Sequence, residues 1–166
     1  MICVPAAVMV LLGMAQDVDN PQFKYWSGCK AGSWVKMTMS MEAGGQKIEG
    51  EMTYKLLELK DDVAVVEVTG KSKVGGQEVP VPAQKQEIKA KEPAYRVKIE
   101  KEGDEEIMVA GKKLKCHWFE FIPKGSEKKS KAWMSMDIPG GMAKGEMALP
   151  DPDQSMTLTA VEWEKK

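Results

Sequence analysis

Thioether side chains are the most concentrated chemical feature of this sequence. The chain has 13 methionines in 166 residues, and Met37, Met39 and Met41 occupy every second position of one short segment. Trp34 lies just before them. Soft sulfur ligands favour Cu(I), and an indole ring can cover such an ion through a cation–π contact. Trp34, Met37 and Met39 are therefore candidate ligands for Cu(I) or Ag(I).

Two features count against this metal site. The spacing of Trp34, Met37 and Met39 resembles the copper-binding strand of small periplasmic copper and silver chaperones, but that family needs a histidine just upstream. The one histidine in this sequence is His117. Strand alternation also places Trp34 on the opposite face from Met37 unless a bulge intervenes. The alternative is that the methionines fill an irregular core or line an adaptable apolar groove, and we expect this role.

The cysteines offer a different chemistry. Cys3 lies in an apolar N-terminal segment with no lipobox before it, so a lipoprotein anchor is not expected. If that segment is removed, Cys29 and Cys116 remain, and an even count in an oxidising compartment favours one disulfide. A bridge between them would close a long loop and contribute about 4–5 kcal/mol in the chain-entropy model. The alternative is two unrelated buried thiols.

No set of residues indicates catalysis. His117 alternates with Cys116, so the two side chains point to opposite faces of a strand and do not form a nucleophile pair. The carboxylates lie at alternating positions or in turns, as solvated side chains do. Gly140-Gly141-x-x-Lys144 lacks the spacing of a phosphate-binding loop, and we interpret it as a turn. The sequence predicts no catalytic residue, no enzymatic activity and no cofactor.

The elements that must position these residues are strands. Val35, Met37, Met39 and Met41 alternate with polar residues, which is the period of a half-buried strand, and similar runs recur to the end of the chain. We expect about nine or ten strands, connected as an antiparallel meander. Such a sheet must curl to hide its apolar face. The fold class predicted is mainly β: a single, strongly curved antiparallel sheet, as a half-barrel or open barrel, with one short N-terminal helix.

Local signals place several elements. Asn20-Pro21 predicts a helix that begins at Pro21 and ends by Gly28. The doublet Leu56-Leu57 predicts a bulge, since it shifts the alternation. Segment 70–82 contains two prolines and predicts an edge hairpin or a loop, with 79–86 as a possible docking strand. Short strands are predicted at 84–91, 95–101 and 106–109, and a hairpin turn is predicted at 43–46.

The N-terminus indicates export. Residues 2–15 are uncharged and mostly apolar, end in Gly13-Met14-Ala15, and are followed at once by acidic residues. The segment is too short to span a membrane, although no basic residue precedes it. We therefore predict a signal peptide at 1–15, an N-terminal segment with a short helix at 16–31, and an antiparallel β domain at 32–166. A periplasmic or extracellular location follows, with no transmembrane segment.

Charge limits the possible partners. Lys and Arg total 24 against 25 Asp and Glu, a net charge of −1, and lysines and glutamates interleave along the strands. This balance does not favour nucleic acid as a partner.

Several phrases together resemble a known group. Gly32-Ser33-Trp34-Val35, residues 109–116, the segment from Trp133 to Lys144, and residues 158–163 resemble uncharacterised exported bacterial proteins of planctomycete type. These are distantly similar to the lipoprotein carriers of the LolA/LolB type. The resemblance covers most of the chain after Gly32 and implies a one-sided periplasmic sheet able to shelter an acyl chain. It transfers no functional residue.

The expected function is that of an exported, non-catalytic β protein. Its partner would be an apolar small molecule, a lipid or a lipoprotein moiety, held on the concave face by Met37, Met39, Met41, Met52 and Tyr54. A Cu(I)/Ag(I)-binding protein and a structural or protein-interaction module are the two alternatives.

Overall fold

The computed structural model describes residues 17–43, 46–93, 98–123, 128–149 and 154–166. The elements in these ranges are helix α1 (Pro21–Ser27) and strands β1 (Asp17–Asp19), β2 (Trp34–Ala43), β3 (Gln46–Leu59), β4 (Val63–Val74), β5 (Gln77–Lys89), β6 (Lys91–Pro93), β7 (Lys98–Val109), β8 (Lys112–Ile122), β9 (Ser130–Met134), β10 (Met142–Ala148) and β11 (Ser155–Glu164). The predicted signal peptide and the glycines of the predicted 43–46 turn lie outside the described residues.

One sheet dominates the structure. Nine strands pair antiparallel in the order β5-β4-β3-β2-β11-β10-β9-β8-β7, and the edge strands β5 and β7 do not pair with each other. β1 and β6 form a separate two-stranded sheet. The prediction of a mainly β fold with a single open antiparallel sheet and one short helix is therefore confirmed.

The path of the chain differs from the expected simple meander. Strands β2 to β5 form one meander and β7 to β11 form another, and the two are joined because β11 pairs with β2. The chain between β5 and β7 therefore leads from one edge of the sheet to the other. Alternation fixes which residues of a strand share a face, but it carries no signal for which distant strand will be the neighbour.

Strand lengths were partly mispredicted. β4 continues to Val74, Gly75 and Gly76 turn the chain with positive φ, and β5 is an exposed edge strand, so segment 70–82 forms the edge hairpin. Residues 84–89, 98–101 and 106–109 lie in strands as predicted, but the bounds differ, because β5 begins at Gln77 and ends at Lys89 and the last two segments belong to one strand, β7, that runs to Val109. Residues 95–97 of the predicted 95–101 strand lie outside the described residues. Charged residues extend β7 because one face of this edge strand is solvated.

Helix α1 forms where the sequence predicts it. Asn20 is the N-cap, and its side-chain oxygen accepts a hydrogen bond from the Gln22 amide at 2.9 Å. Pro21 occupies the first turn and Gly28 is the C-cap. Trp26 is only 2% exposed and packs against a buried cluster of β3, β4 and β5. The short helix is thus stabilised mainly by its contact with the sheet.

The sheet coils so that its β7–β8 end covers the face of β2 and β11. Val109 and Leu114, on either side of the β7–β8 turn, share one buried cluster with Val35 and Ala160. These strands are not neighbours in the sheet. Lys112 Nζ also lies 4.6 Å from the ring centre of Trp163. The curvature of the sheet therefore encloses the core, although the edge strands β5 and β7 do not pair with each other. The predicted bulge is present as well, since the β3–β4 register shifts between Leu56 and Glu58.

The turn at 135–141 locks the helix onto this core. The Ser135 amide donates to the Gly141 carbonyl at 2.7 Å, and Ile138 at the centre of the turn is fully buried. Gly140 has φ +74°, and a Cβ at this position would lie 2.8 Å from Cζ2 of Trp26. Glycine is therefore required here for its backbone conformation and for the close approach of the indole ring.

Gly140→Ala should be far more destabilising than Gly111→Ala. Both glycines have φ +74°, but nothing lies within 4 Å of a Cβ at Gly111. The positive φ should lower the free energy of unfolding by about 1–2 kcal/mol in both variants. Displacement of Trp26 should add about 2 kcal/mol at Gly140, measured by urea unfolding. Equal losses in the two variants would show that the indole contact does not stabilise the fold.

Candidate functional site

The structure divides the candidate binding residues into a buried methionine and a half-buried group. Met37 is only 5% exposed and belongs to the same buried cluster as Val35 and Ala160. The half-buried candidates are Met39, Met41, Met52 and Tyr54. We therefore assign Met37 to the core, where its thioether is closed to a ligand.

Cross-strand pairing joins the half-buried methionines into one apolar band. On β11, Leu158 lies opposite Met39 and Met156 lies opposite Met41. Met156 in turn lies opposite Met147 of β10. Directly opposed residues share a face of the sheet. We call this band the methionine face, and it consists of Met39, Met41, Ile48, Met52, Met147, Met156 and Leu158, all of them half-buried.

The methionine face continues the core beyond its covered end. Along β2 the exposed fraction is 3% at Val35 and 5% at Met37, whereas Met39 and Met41 are half-buried. Tyr54 lies opposite Val35 and packs against both buried clusters, so it belongs to the covered end. Burial raises the pKa of the Tyr54 hydroxyl above its ordinary value. A single apolar surface thus changes from core to accessible face along the strand.

Glycines form small gaps in this surface, and methionine ends lie over them. A Cβ at Gly50 would lie 3.3 Å from the terminal methyl carbon of Met39. A Cβ at Gly145 would lie 3.1 Å from the methyl carbon of Met147. Methionine is unbranched and flexible, so such side chains can repack when another apolar group enters. The face is adaptable because the flexible ends of Met39 and Met147 lie over glycines, which leave space beneath them.

The opposite face of these strands is polar. A depression of about 420 Å³ lies there, lined mainly by Thr38 and Thr159 and by several lysines and glutamates. Lys47 Nζ lies 2.7 Å from Glu49 Oε1, and this hydrogen bond lowers the pKa of the Glu49 carboxyl. The charges in the depression are largely paired with one another, as expected for a solvated sheet face.

Trp34 lies on that polar side. Its indole Nε1 donates to Glu164 Oε2 at 3.2 Å, and its position on β2 alternates with Val35 and Met37. Trp34, Met37 and Met39 are therefore not brought together as one set of metal ligands. Within the described ranges no group of three His, Cys, Asp or Glu residues is placed to hold a metal ion.

Cys29 and Cys116 are both buried free thiols, so the predicted disulfide is not formed. The two residues belong to different buried clusters. Cys29 shares one cluster with Trp26 of helix α1, and Cys116 of β8 shares the other with Val35. The Cys29 thiol donates to the Tyr25 carbonyl at 3.4 Å. Burial is the main cause that raises the pKa of each thiol. The two thiols therefore act as small buried apolar groups.

His117 lies on the solvent side of β8, as the sequence indicates. Its Nδ1 is 3.0 Å from Asp104 Oδ1 and its Nε2 is 3.6 Å from Glu102 Oε2. Its ring centre is 6.5 Å from that of Phe119. Cys116 points the other way, into the core. The geometry gives no nucleophile–base pair at this position.

The tryptophans contribute mainly to packing, with one polar arrangement that the sequence pattern does not reveal. Trp133 is 7% exposed, and its indole nitrogen donates to a Glu105 carboxylate oxygen. Lys131 Nζ lies 4.2 Å from the Trp118 ring centre and 4.5 Å from that of Trp133. Lys131 thus covers the indole rings of Trp118 on β8 and Trp133 on β9 through cation–π contacts.

Sequence patterns alone miss four of the seven residues of the methionine face, which are Ile48, Met147, Met156 and Leu158. The last three lie on β10 and β11, strands that a simple meander does not place near β2. The alternation of Met156, Leu158 and Ala160 was the available signal. Only the β2–β11 pairing makes these residues neighbours of Met39 and Met41.

The comparisons with known proteins define the fold. No protein-family model and no curated protein matches the sequence. The structure is similar to that of a candidate lipoprotein from Parabacteroides distasonis ATCC 8503, with a TM-score of 0.51 at 10% identity over 90% of this chain and 100% of that chain. A DUF1329 family protein from Desulfovibrio piger ATCC 29098 aligns with a TM-score of 0.26 at 9% identity, over 87% of this chain and 90% of that chain. The second value is too low to indicate a shared fold.

These comparisons support the resemblance only in its coarser form. The chain shares its curved sheet with a bacterial protein of the lipoprotein-like kind, whereas the kinship with LolA/LolB carriers and the planctomycete origin stay predictions. Among the described residues, no helix is long and apolar enough to cross a membrane.

The buried thiols predict a loss of stability at alkaline pH. Their pKa values are raised from the ordinary 9.0, so above this pH the unfolded chain releases thiol protons before the folded chain does. Stability should be intact below about pH 9 and fall as the pH rises through the folded pKa values. Urea unfolding at a series of pH values would measure this. Cys116→Ala should flatten the dependence, although Tyr25 and Tyr54 add to it at higher pH.

Urea unfolding with and without a reducing agent tests whether Cys29 and Cys116 are free thiols. A reducing agent should leave the unfolding midpoint unchanged at neutral pH. A lower midpoint on reduction would show that a bridge does form in the protein.

Proposed function

We propose that this chain is an exported, non-catalytic β protein that holds an apolar ligand, such as a lipid acyl chain, on its methionine face. The observation that carries the proposal is the continuity of this face with the core. Val35 and Met37 are covered by the coiled sheet, while Met39, Met41 and Met156 stay half-buried on the same side. An apolar ligand placed there would cover the methionine face, as the β7–β8 end of the sheet covers Val35 and Met37.

The side chains suit a flexible ligand better than a rigid one. Thioethers are polarisable and adopt many rotamers at low cost, so they adjust to chains of varied shape. The glycines beneath Met39 and Met147 leave room for this repacking. The face carries no charged residue, so shape and apolar contact would determine affinity.

Export is supported by two independent features. The uncharged apolar segment at 2–15 has the composition of a signal peptide and is followed within a few residues by Asp17 and Asp19. The structural neighbour from Parabacteroides is described as a candidate lipoprotein, and lipoproteins are exported. The proposed setting is periplasmic or extracellular, where a free acyl chain needs a protein surface to shelter it from water.

A fluorescent fatty acid tests the binding. Dansylundecanoic acid should gain fluorescence on addition of the protein, and oleic acid should displace it. Met156→Gln places an amide in the centre of the methionine face and should weaken binding about five- to tenfold, since one buried apolar contact contributes about 1–1.5 kcal/mol.

Met108→Gln is the matched control. Met108 lies on edge strand β7 and is 67% exposed, so the same substitution there should leave the affinity unchanged. Circular dichroism should show that both variants fold. Equal affinities for the two variants, or no fluorescence gain with the unmodified chain, would rule out the methionine face as the binding surface.

A further inference from the structure

Two methionine side chains of β10 end over one glycine of the same strand. A Cβ at Gly145 would lie 3.4 Å from Met142 Sδ and 3.1 Å from Met147 Cε. Gly145 is buried, so both thioether groups cover a position that has no side chain of its own. The β9–β10 register shifts between Met142 and Lys144, and such a bulge re-aims the side chains beside it. The bulge thus brings Met142 to the side of the sheet on which Met147 lies.

Met156 of β11 supplies a third thioether at the same place. It lies directly opposite Met147, and Leu158, on the same strand, lies directly opposite Gly145. Directly opposed residues share a face of the sheet, with Cβ atoms about 4.5–5.5 Å apart. A methionine side chain is unbranched and rotates about three bonds, so the three sulfur atoms can meet without movement of the backbone. We call Met142, Met147 and Met156 the thioether cluster.

The chemistry of the thioether cluster favours a soft ion. Its three side chains are half-buried, so they are partly accessible from solvent and partly shielded from it. The carboxylate of the neighbouring Glu146 is paired with Lys144, with 2.7 Å between Oε1 and Nζ. Hard cations such as Ca²⁺ and Mg²⁺ need oxygen ligands, whereas neutral sulfur ligands select soft ions such as Cu(I). Ag(I) is a soft monovalent ion of the same kind.

We propose that the thioether cluster is a three-sulfur binding site for a soft monovalent metal ion, Cu(I) or Ag(I). The ion lies above Gly145, where another residue would place a side chain. The site goes beyond the proposed acyl binding, because it requires the sulfur atoms themselves and not only an apolar surface. It also uses none of Trp34, Met37 and Met39, which the structure does not bring together.

Binding at the thioether cluster should be independent of pH between about pH 5 and pH 8, because thioethers take up no proton in this range. An imidazole, thiolate or carboxylate ligand must be deprotonated to hold a metal ion, so a site built from such groups would lose affinity as the pH falls. The pH dependence therefore separates the thioether cluster from the other possible ligands in the chain.

Methyl NMR of the full chain, labelled with ¹³C at the methionine methyl groups, tests the site. One equivalent of silver nitrate in chloride-free buffer should shift the signals of Met142, Met147 and Met156 along one titration curve, equally at about pH 5 and about pH 8. Met108 is the internal control, because it is 67% exposed on edge strand β7 and lies outside the thioether cluster. Its signal should stay in place.

Met156→Leu separates the sulfur atom from the apolar surface. Leucine is apolar but cannot bind the ion, so the affinity for Ag(I) should fall about tenfold or more with the loss of one of three ligands. The affinity for dansylundecanoic acid should stay close to that of the unmodified chain, which would also show that the variant is folded. Met108→Leu, the matched control, should change neither affinity.

The ion site and the acyl site can fail separately. Ag(I)-induced shifts in a chain that does not bind dansylundecanoic acid would still support the ion site, since three sulfur atoms suffice for it. An equal shift of the Met108 signal, or loss of the shifts at about pH 5, would overturn the proposal. Unmoved methionine signals, with the ion taken up by the Cys29 and Cys116 thiols, would overturn it as well. Equal Ag(I) affinities of Met156→Leu and Met108→Leu would have the same meaning.

Discussion

The antiparallel pairing of β2 with β11 is the constraint on which the rest of the structure depends. It joins residues from the two ends of the described chain, such as Val35 with Trp163 and Met41 with Met156. Without it the two meanders would be separate ribbons with four edges and no common core. With it, the sheet has nine strands and can coil far enough for Leu114 and Val35 to share one buried cluster. The loss of chain entropy in closing so long a loop is offset by the burial of apolar side chains on the coiled face.

The coil covers only part of that face, and this partial cover connects the fold with the proposed function. Helix α1, the 135–141 turn and the β7–β8 end together bury Trp26, Ile138 and Met37. Beyond them the sheet continues with the same apolar alternation, and its methionines are half-buried in the described part of the chain. Methionines resting on glycines can lie flat against the sheet when no ligand is present and move when one enters. A surface of leucine or isoleucine would have fewer rotamers with which to adapt.

Charge is distributed on a finer scale than the near-neutral total suggests. Exposed pairs such as Lys47–Glu49 and Lys36–Glu162 each contribute little to stability, since they remain hydrated. Their effect is to keep the solvated face of the sheet soluble.

The sequence by itself determined the local structure. Asn20 and Pro21 start the helix, Leu56-Leu57 marks the bulge, and the alternation from Val35 to Met41 defines an apolar face, because each signal acts over a few neighbouring residues. It also indicated that methionines would line an apolar face of the sheet. Only the tertiary structure decided that Met37 is core while Met156 is half-exposed, and that Cys29 and Cys116 lie in separate clusters. Those outcomes depend on which distant strands pair and how far the sheet coils, and a period-2 pattern is the same whichever partner a strand takes.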